Sequence, residues 1–193
     1  MRSVRLTAMA QAAARATSEE IQQRATEQGS HHRGLIESDD DGRRLSDLMR
    51  PMYIFATPRG HGVLTTTGRK SGQPRKKVIR AVRRGDKAFM VMLRPPALAG
   101  KRPNAVAAWV HNIRADARVT LRLGRRTFAG TAREITDEGE LESARAALCG
   151  SVHAVDYGEC LLHLKGVPTP AKIREMHRYW FETGIPVAVA LQI

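Results

Sequence analysis

Apolar residues along this chain keep two rhythms, and the rhythms mark its elements. In "ARVTLRLGRRTFAGTARE" (117–134), Val119, Leu121 and Leu123 alternate with Thr120 and Arg122. That is the period of two expected of strands with one buried face, here folding back at Gly124-Arg125. "KKVIRAVRRGDKAFMVML" (76–93) reads as an earlier hairpin, with Arg84-Gly85-Asp86-Lys87 at its turn and Pro95-Pro96 beyond its end. Before it, the β-branched run Val63–Thr67 breaks at Gly68. The second rhythm is helical. Val106, Trp109, Val110 and Ile113 share one face of a helix predicted over Pro103–Ala115. Asp137–Leu148, opened by Thr136 and acidic in its first turn, predicts another. Ala171–Glu182 predicts a third, closed by Gly184, and "IPVAVALQI" reads as a last strand.

The order strand, hairpin, helix, hairpin, helix, helix, strand predicts an α+β fold: a small antiparallel barrel with helices packed on its outside. Residues 45–193 carry this pattern. Residues 1–44 read as an N-terminal helical or flexible extension. Within it, residues 1–28 favour helix up to Gly29, with a thin apolar stripe of Leu6, Met9 and Ala13. The first 18 residues lack acids, a trait shared by organelle transit peptides and many bacterial extensions. Residues 30–44 read as a polar hinge loop around Asp39, Asp40 and Asp41, and a short helix bent or started by Pro51 is expected over Leu45–Phe55.

Composition adds two constraints. The hydrophobic share, 42% of 193 residues, is that of an ordinary globular chain, and no apolar run approaches the roughly 20 residues of a membrane-spanning helix. Cys149 and Cys160 are too few and too far apart for a zinc site or disulfide framework, so they read as reduced thiols of a cytosolic protein. Charge changes the picture more. The net charge is +13, yet residues 48–133 hold 20 Lys or Arg against two acids, Asp86 and Asp116, while the flanks are net acidic. A field so localised expects a polyanionic partner: nucleic acid, an anionic membrane surface, or a small molecule rich in phosphate and carboxylate. Against nucleic acid, Phe89, Trp109 and Phe128 occupy apolar-face positions rather than interleaving with the bases, and no helix-turn-helix or zinc-finger spacing occurs. The basic N-terminal stretch suggests at most weak contact with a membrane surface, because its apolar stripe is thin.

The charge is densest after "LTTT". Arg69-Lys70-Ser71-Gly72, with Arg75, Lys76 and Lys77 behind, sets cations, a hydroxyl and two flexible glycines within a few residues. Gly68 and Gly72 permit positive φ or close backbone approach, so the loop reads as an anion cradle. It is not a P-loop, since the GxxxxGK[ST] spacing and the following helix are missing.

These residues carry a resemblance. "LTTTGRKSGQPRKKV" and "AWVHNIRADARVTLRLGRRTFAGTARE" are similar to the deazaflavin-dependent nitroreductase family, whose members show a "TTTGRK(S/T)GQPR" segment followed by a "W-x-x-N-L-x-A-N-P" helix. The likeness spans about residues 60–157 and the C-terminal "GIPVAVALQI". It implies a split β-barrel related to flavin mononucleotide (FMN)-binding oxidoreductases. It further implies coenzyme F420, an 8-hydroxy-5-deazaflavin with a phosphate and an oligoglutamate tail, and hydride transfer to a quinone, enone or nitro compound. By motif position, Arg69, Lys70, Ser71, Arg75, Lys76 and Lys77 would hold phosphate and tail. Val78, Ile79 and Arg80 would border the cofactor, and Val91, Met92, Leu93 and Arg94 would line its ring. Ala108, Trp109, Val110, His111 and Asn112 would complete the tail site.

Three departures stand out. Leu93–Pro96 replaces the family's "SKGG", Asp116-Ala117 replaces its final Asn-Pro, and Tyr157 alone remains of the tyrosines that relatives carry over the pocket. Tyr157 is the first candidate for a proton donor to the acceptor oxygen and His153 the second; a packing role is the alternative for Tyr157. His111 reads as structural or cofactor-facing, and Tyr179 and Trp180 as core. His31 and His32 have no third ligand in reach, so no metal is assigned. The expected partner is a small-molecule acceptor, in a monomer or homodimer. FMN is the alternative cofactor, and a coenzyme-, flavin- or haem-binding relative without fast turnover is the alternative function.

Overall fold

The barrel begins with its turns. The computed structural model describes residues 17–29, 31–33 and 38–193. At both predicted hairpin tips the glycine sits in the left-handed region, Gly85 at φ 61° and Gly124 at φ 58°, where a side chain would be strained. Gly85 joins β2 (Pro74–Arg84) to β3 (Lys87–Met92), and Gly124 joins β4 (Arg118–Leu123) to β5 (Arg126–Glu134). With β1 (His61–Thr67) and β6 (Ile185–Leu191), they form a closed antiparallel barrel in the order β1-β2-β3-β6-β5-β4. Closure is made where β1 returns to β4, from Val63 opposite Arg122 to Thr66 opposite Val119. A closed barrel leaves no unpaired strand edge.

Alternation along the strands then sorts the side chains. Leu64, Ile79, Ala81, Met90, Met92, Leu121, Phe128, Val187 and Val189 form one apolar cluster, the barrel interior. Trp109, Val110 and Ile113 of α4 (Ala108–Ala115) join it, so this helix closes one end of the barrel. Intervening residues Val82, Phe89, Val91 and Ala188 pack instead with Ala144, Ala147 and Leu148 of α5 (Glu138–Gly150). Outside lie α6 (Ala154–His163) and α7 (Pro170–Thr183), which share a third cluster of Cys160, Ile173, Met176, Tyr179 and Trp180. The expected core placement of Tyr179 and Trp180 is therefore met, and both cysteines are free thiols.

Near the N-terminus, α1 (Ser18–Gly29) packs Ile21 and Ala25 on Ala99 of α3 (Pro96–Lys101). The expectation for residues 1–16 lies outside the described residues. Two element boundaries and one whole helix differ from the sequence reading. First, α2 runs Asp39–Phe55, so residues 39–44 are helix rather than loop. Ser38 Oγ accepts from the Asp41 N–H and Asp41 Oδ2 accepts from the Ser38 N–H, a reciprocal cap that starts the helix early. Second, α4 starts at Ala108 rather than Pro103, because a separate turn of helix, α3, follows Pro95. Third, α6 occupies a stretch that the periodicity did not mark as helix. No helix among the described residues is long and apolar enough to cross a membrane.

Candidate functional site: the basic corner and its clamp

The basic loop is built before it is charged. Between β1 and β2 the chain turns through Gly68–Gln73, with the Gly68 N–H donating to Gln73 O at 2.9 Å and the Gly72 N–H to Gly68 O at 2.7 Å. At Gly68 the requirement is space: a Cβ there would lie 2.8 Å from Ser71 Oγ and 3.1 Å from Gln73 O. Ser71 Oγ also accepts from the Gln73 N–H at 3.3 Å and from Arg75 Nη2 at 3.4 Å, so the serine orders the turn from within.

What holds the loop to the barrel is Asn112, on the inner side of α4 and only 7% exposed. Its Oδ1 accepts from the Arg69 N–H at 3.1 Å, and its Nδ2 donates to Thr66 Oγ1 at 3.0 Å. The end of β3 reaches the same helix. The Ala107 N–H, at the helix start, donates to Met92 Sδ at 3.0 Å, and Arg94 Nε donates to Ala105 O at 3.4 Å. Two of the segments singled out in the sequence, Arg69–Ser71 and Val91–Arg94, thus meet the third, Ala108–Asn112, or the residues just before it.

Charge at this corner is left uncompensated. Arg69, Lys70, Arg75 and Lys76 are exposed, and none makes an ion pair with a described residue. The nearby acid is spoken for: Asp116 accepts from Arg118 Nε at 3.0 Å and Nη2 at 3.1 Å, which holds its carboxyl down at about 2. Lys77 differs from its neighbours. It is half-buried within reach of Asp47 and Arg50 of α2, and burial lowers its pKa against the pull of Asp47.

Other expected site residues lie deeper. Ile79 and Met92 are in the barrel interior and Val91 is in the outer cluster with α5, while Val78 is half-buried and Leu93 packs between the outer clusters. Trp109 and Val110 are core, His111 is half-buried and Ala108 is exposed. Arg94 is 7% exposed; its Nη1 donates to Thr183 O at the end of α7, and Tyr179 Oη donates to Arg94 O at 3.2 Å. It caps the last carbonyl of the helix. The prolines that follow therefore sit on an anchored strand end. A cleft of about 350 Å3 runs beneath Pro95 and Pro96 between α1, α3 and α6, away from the basic loop.

Arg80 is the largest departure from an open loop. Its side chain is 2% exposed on the outer wall, donating from Nη1 to Asp156 Oδ1 at 2.6 Å and from Nη2 to Leu148 O and Ser151 O, both at 3.0 Å. Asp156 in turn accepts from the His153 N–H at 2.7 Å, fixing the first turn of α6. Tyr157 follows on that helix and is 38% exposed. Beside them His61 Nε2 lies 2.9 Å from Glu159 Oε1. Burial works against the Glu159 charge, but the His61 hydrogen bond and the positive field of Arg80 win and lower its pKa. His177 on α7 is neutral, since burial pushes it down to about 3. The sequence reading missed Thr66, His61, Asp156, Glu159 and His177; only an i,i+3 carboxylate pair on an unpredicted helix could have flagged the last group.

With the geometry in place, comparison with known proteins decides the family. The model of the F420H2-dependent quinone reductases matches residues 55–158, more than half of the chain, including the basic loop, α4 and the start of α6. The chain belongs to the F420H2-dependent quinone reductase family. It is an F420H2-dependent oxidoreductase, and coenzyme F420 is the cofactor that this membership implies. No curated protein matches the sequence. Among solved structures, the F420H2-dependent reductase FDR-A is 21% identical over 69% of this chain and 95% of its own, with a TM-score of 0.43. The haem storage protein HutZ of Vibrio cholerae is 12% identical over 76% of this chain and 91% of its own, with a TM-score of 0.41. The barrel itself rests on the strand pairing described above.

The residues present fit such a coenzyme. Its phosphate and carboxylates need cations without acidic partners and a loop held still, and among the described residues the corner at Arg69–Lys76 offers both.

Proposed function

We propose that the Gly68–Lys76 loop and α4 hold the phosphate and oligoglutamate tail of coenzyme F420, and that the protein reduces an electron-poor acceptor such as a quinone, an enone or a nitro compound. When bound in its reduced form, the coenzyme supplies the hydride. The observation that carries the reading is the set of four exposed cations, Arg69, Lys70, Arg75 and Lys76, without an acidic partner among the described residues on a loop clamped by Asn112. Each charge is screened by solvent, so affinity comes from several contacts together and falls with ionic strength. The buried apolar side chains of Ile79, Val91, Met92, Trp109 and Val110 give rigidity to the strand ends around the ring rather than new charge. Reduction of a carbonyl or quinone leaves negative charge on oxygen, which a nearby hydroxyl stabilises. Tyr157 takes that role here: it is half-exposed on a helix whose first turn is locked by the Asp156 clasp.

Two measurements test this. Arg69→Ala and Arg75→Ala each weaken F420 binding roughly tenfold at low salt, as loss of one partly screened charge-assisted contact should. Fluorescence titrations that superimpose on the wild type would remove the tail site from this loop. Tyr157→Phe lowers turnover with menadione roughly a hundredfold, within the range for a lost proton donor, while coenzyme affinity stays the same. An unchanged rate excludes the tyrosine.

A further inference from the structure

We propose that Asp156, Glu159 and His177 form a site for one divalent transition-metal ion of the zinc class, clamping α6 to α7 against the barrel wall. Asp156 and Glu159 are three residues apart on α6 and so share a face. His177 meets that face from α7, and one ligand atom from each of the three lies within 4.8 Å of the others. His177 and Asp156 are almost wholly enclosed, with side chains 1% and 0% exposed. Yet both ring nitrogens of His177 and Oε2 of Glu159 are buried without a hydrogen-bond partner. Leaving a buried polar atom unsatisfied costs about 1–3 kcal/mol, so His177 Nε2, which faces Asp156 Oδ1, and Glu159 Oε2 call for a partner that neither has within the fold.

The chemistry of the donors names that partner. An uncharged imidazole with two carboxylates is a nitrogen–oxygen set that suits Zn2+, Co2+ or Ni2+; it has no thiolate for Cu+ and too few oxygens for Ca2+. His177 Nε2 and Asp156 Oδ1 are 3.9 Å apart. Two ligands on a tetrahedral ion with bonds near 2.05 Å sit about 3.4 Å apart, so a small shift of the ring closes the site. Asp156 Oδ1 already accepts from Arg80, but a carboxylate oxygen has a second lone pair and can bridge guanidinium and metal. The His61 ring at Glu159 Oε1 supplies the outer-shell hydrogen bond that orients a ligating carboxylate. Arg80 with the two carboxylates sums to one negative charge, which a divalent ion over-compensates only by one.

The test uses the full chain after treatment with a chelator and exchange into chelator-free buffer. Titrated Co2+ should bind at one equivalent and give the visible absorption of a low-coordinate site, and Zn2+ should displace it and raise the melting temperature. Glu159→Gln, at the most exposed of the three ligands, should weaken Co2+ binding at least tenfold, and His177→Gln further. His31→Ala should leave binding intact, because His31 stands apart from the cluster. No saturable binding at one equivalent overturns the site. So does binding that survives Glu159→Gln unchanged or that disappears with His31→Ala.

Discussion

Removing the Asn112 side chain should do two separable things, because this one residue joins the fold to the site. Asn112→Ala deletes the bond to Thr66 Oγ1, whose residue is 3% exposed, and the bond from the Arg69 N–H at the base of the exposed loop. A net hydrogen bond is worth about 1 kcal/mol, and the Thr66 hydroxyl cannot readily rehydrate, so that half carries the larger share. The Arg69 amide can turn to water and contributes less. The sum is about 2 kcal/mol, or a fall of roughly 4–8 °C in Tm for a chain of this size. Thr66→Val removes the first bond alone, and the double variant should lose less than the two singles together, since they share that bond. Affinity for F420 should fall in Asn112→Ala by more than in Thr66→Val, because only the former frees the loop. Urea unfolding read by tryptophan fluorescence and titration with the coenzyme give the two numbers. Strictly additive losses of stability, or equal affinity in both variants, would refute the clamp.

Elsewhere, Asp156→Ala strands the buried Arg80 guanidinium and should cost about 3–5 kcal/mol, read by denaturant unfolding; a loss below about 1 kcal/mol would contradict the pairing. Gly184→Ala would bring a Cβ to 2.4 Å from both Met92 O and Trp180 O, and neither backbone can yield, so the variant should be destabilised by about 2 kcal/mol or more, against wild-type melting if the contact is wrong. His32 is held down at about 4, first by burial and then by the charges of His163 and His31. Its folded pKa lies below the unfolded value, so its contribution is complete above about pH 6.5 and lost as the pH falls toward 4, at about 1.4 kcal/mol per pH unit. His32→Gln should flatten that part of the stability profile; parallel profiles for wild type and variant would exclude the assignment.

Sequence patterning made the barrel readable where local chemistry dictates structure. The two glycine turns, the alternation in β4 and β5, and the apolar face of α4 are short-range signals, and each appears where expected. Arg80 shows where such reading stops. A cation at an outward position of β2 looks solvated from its neighbours in sequence, and only the packing of α5 and α6 over that wall turns it into a buried anchor. The α6 stretch "AVDYGECLLH" carries Gly158 at its middle and buried Asp156 in its first turn, so neither propensity nor apolar spacing marked it. Asn112 was flagged by its motif, but its hold on Arg69 and Thr66 depends on the closure of β1 onto β4 beneath the helix. The early start of α2, by contrast, was written in Ser38 and Asp41 and is recoverable from a capping pattern alone.

The most direct measurement compares binding of intact F420 with that of the same deazaflavin lacking phosphate and glutamates, in the wild type and in the variant with Arg69, Lys70, Arg75 and Lys76 all changed to Ala. The account predicts that the wild type strongly prefers the tailed molecule, that added salt erodes the preference, and that the variant binds the two alike. A variant that keeps the full preference for the tail would contradict it.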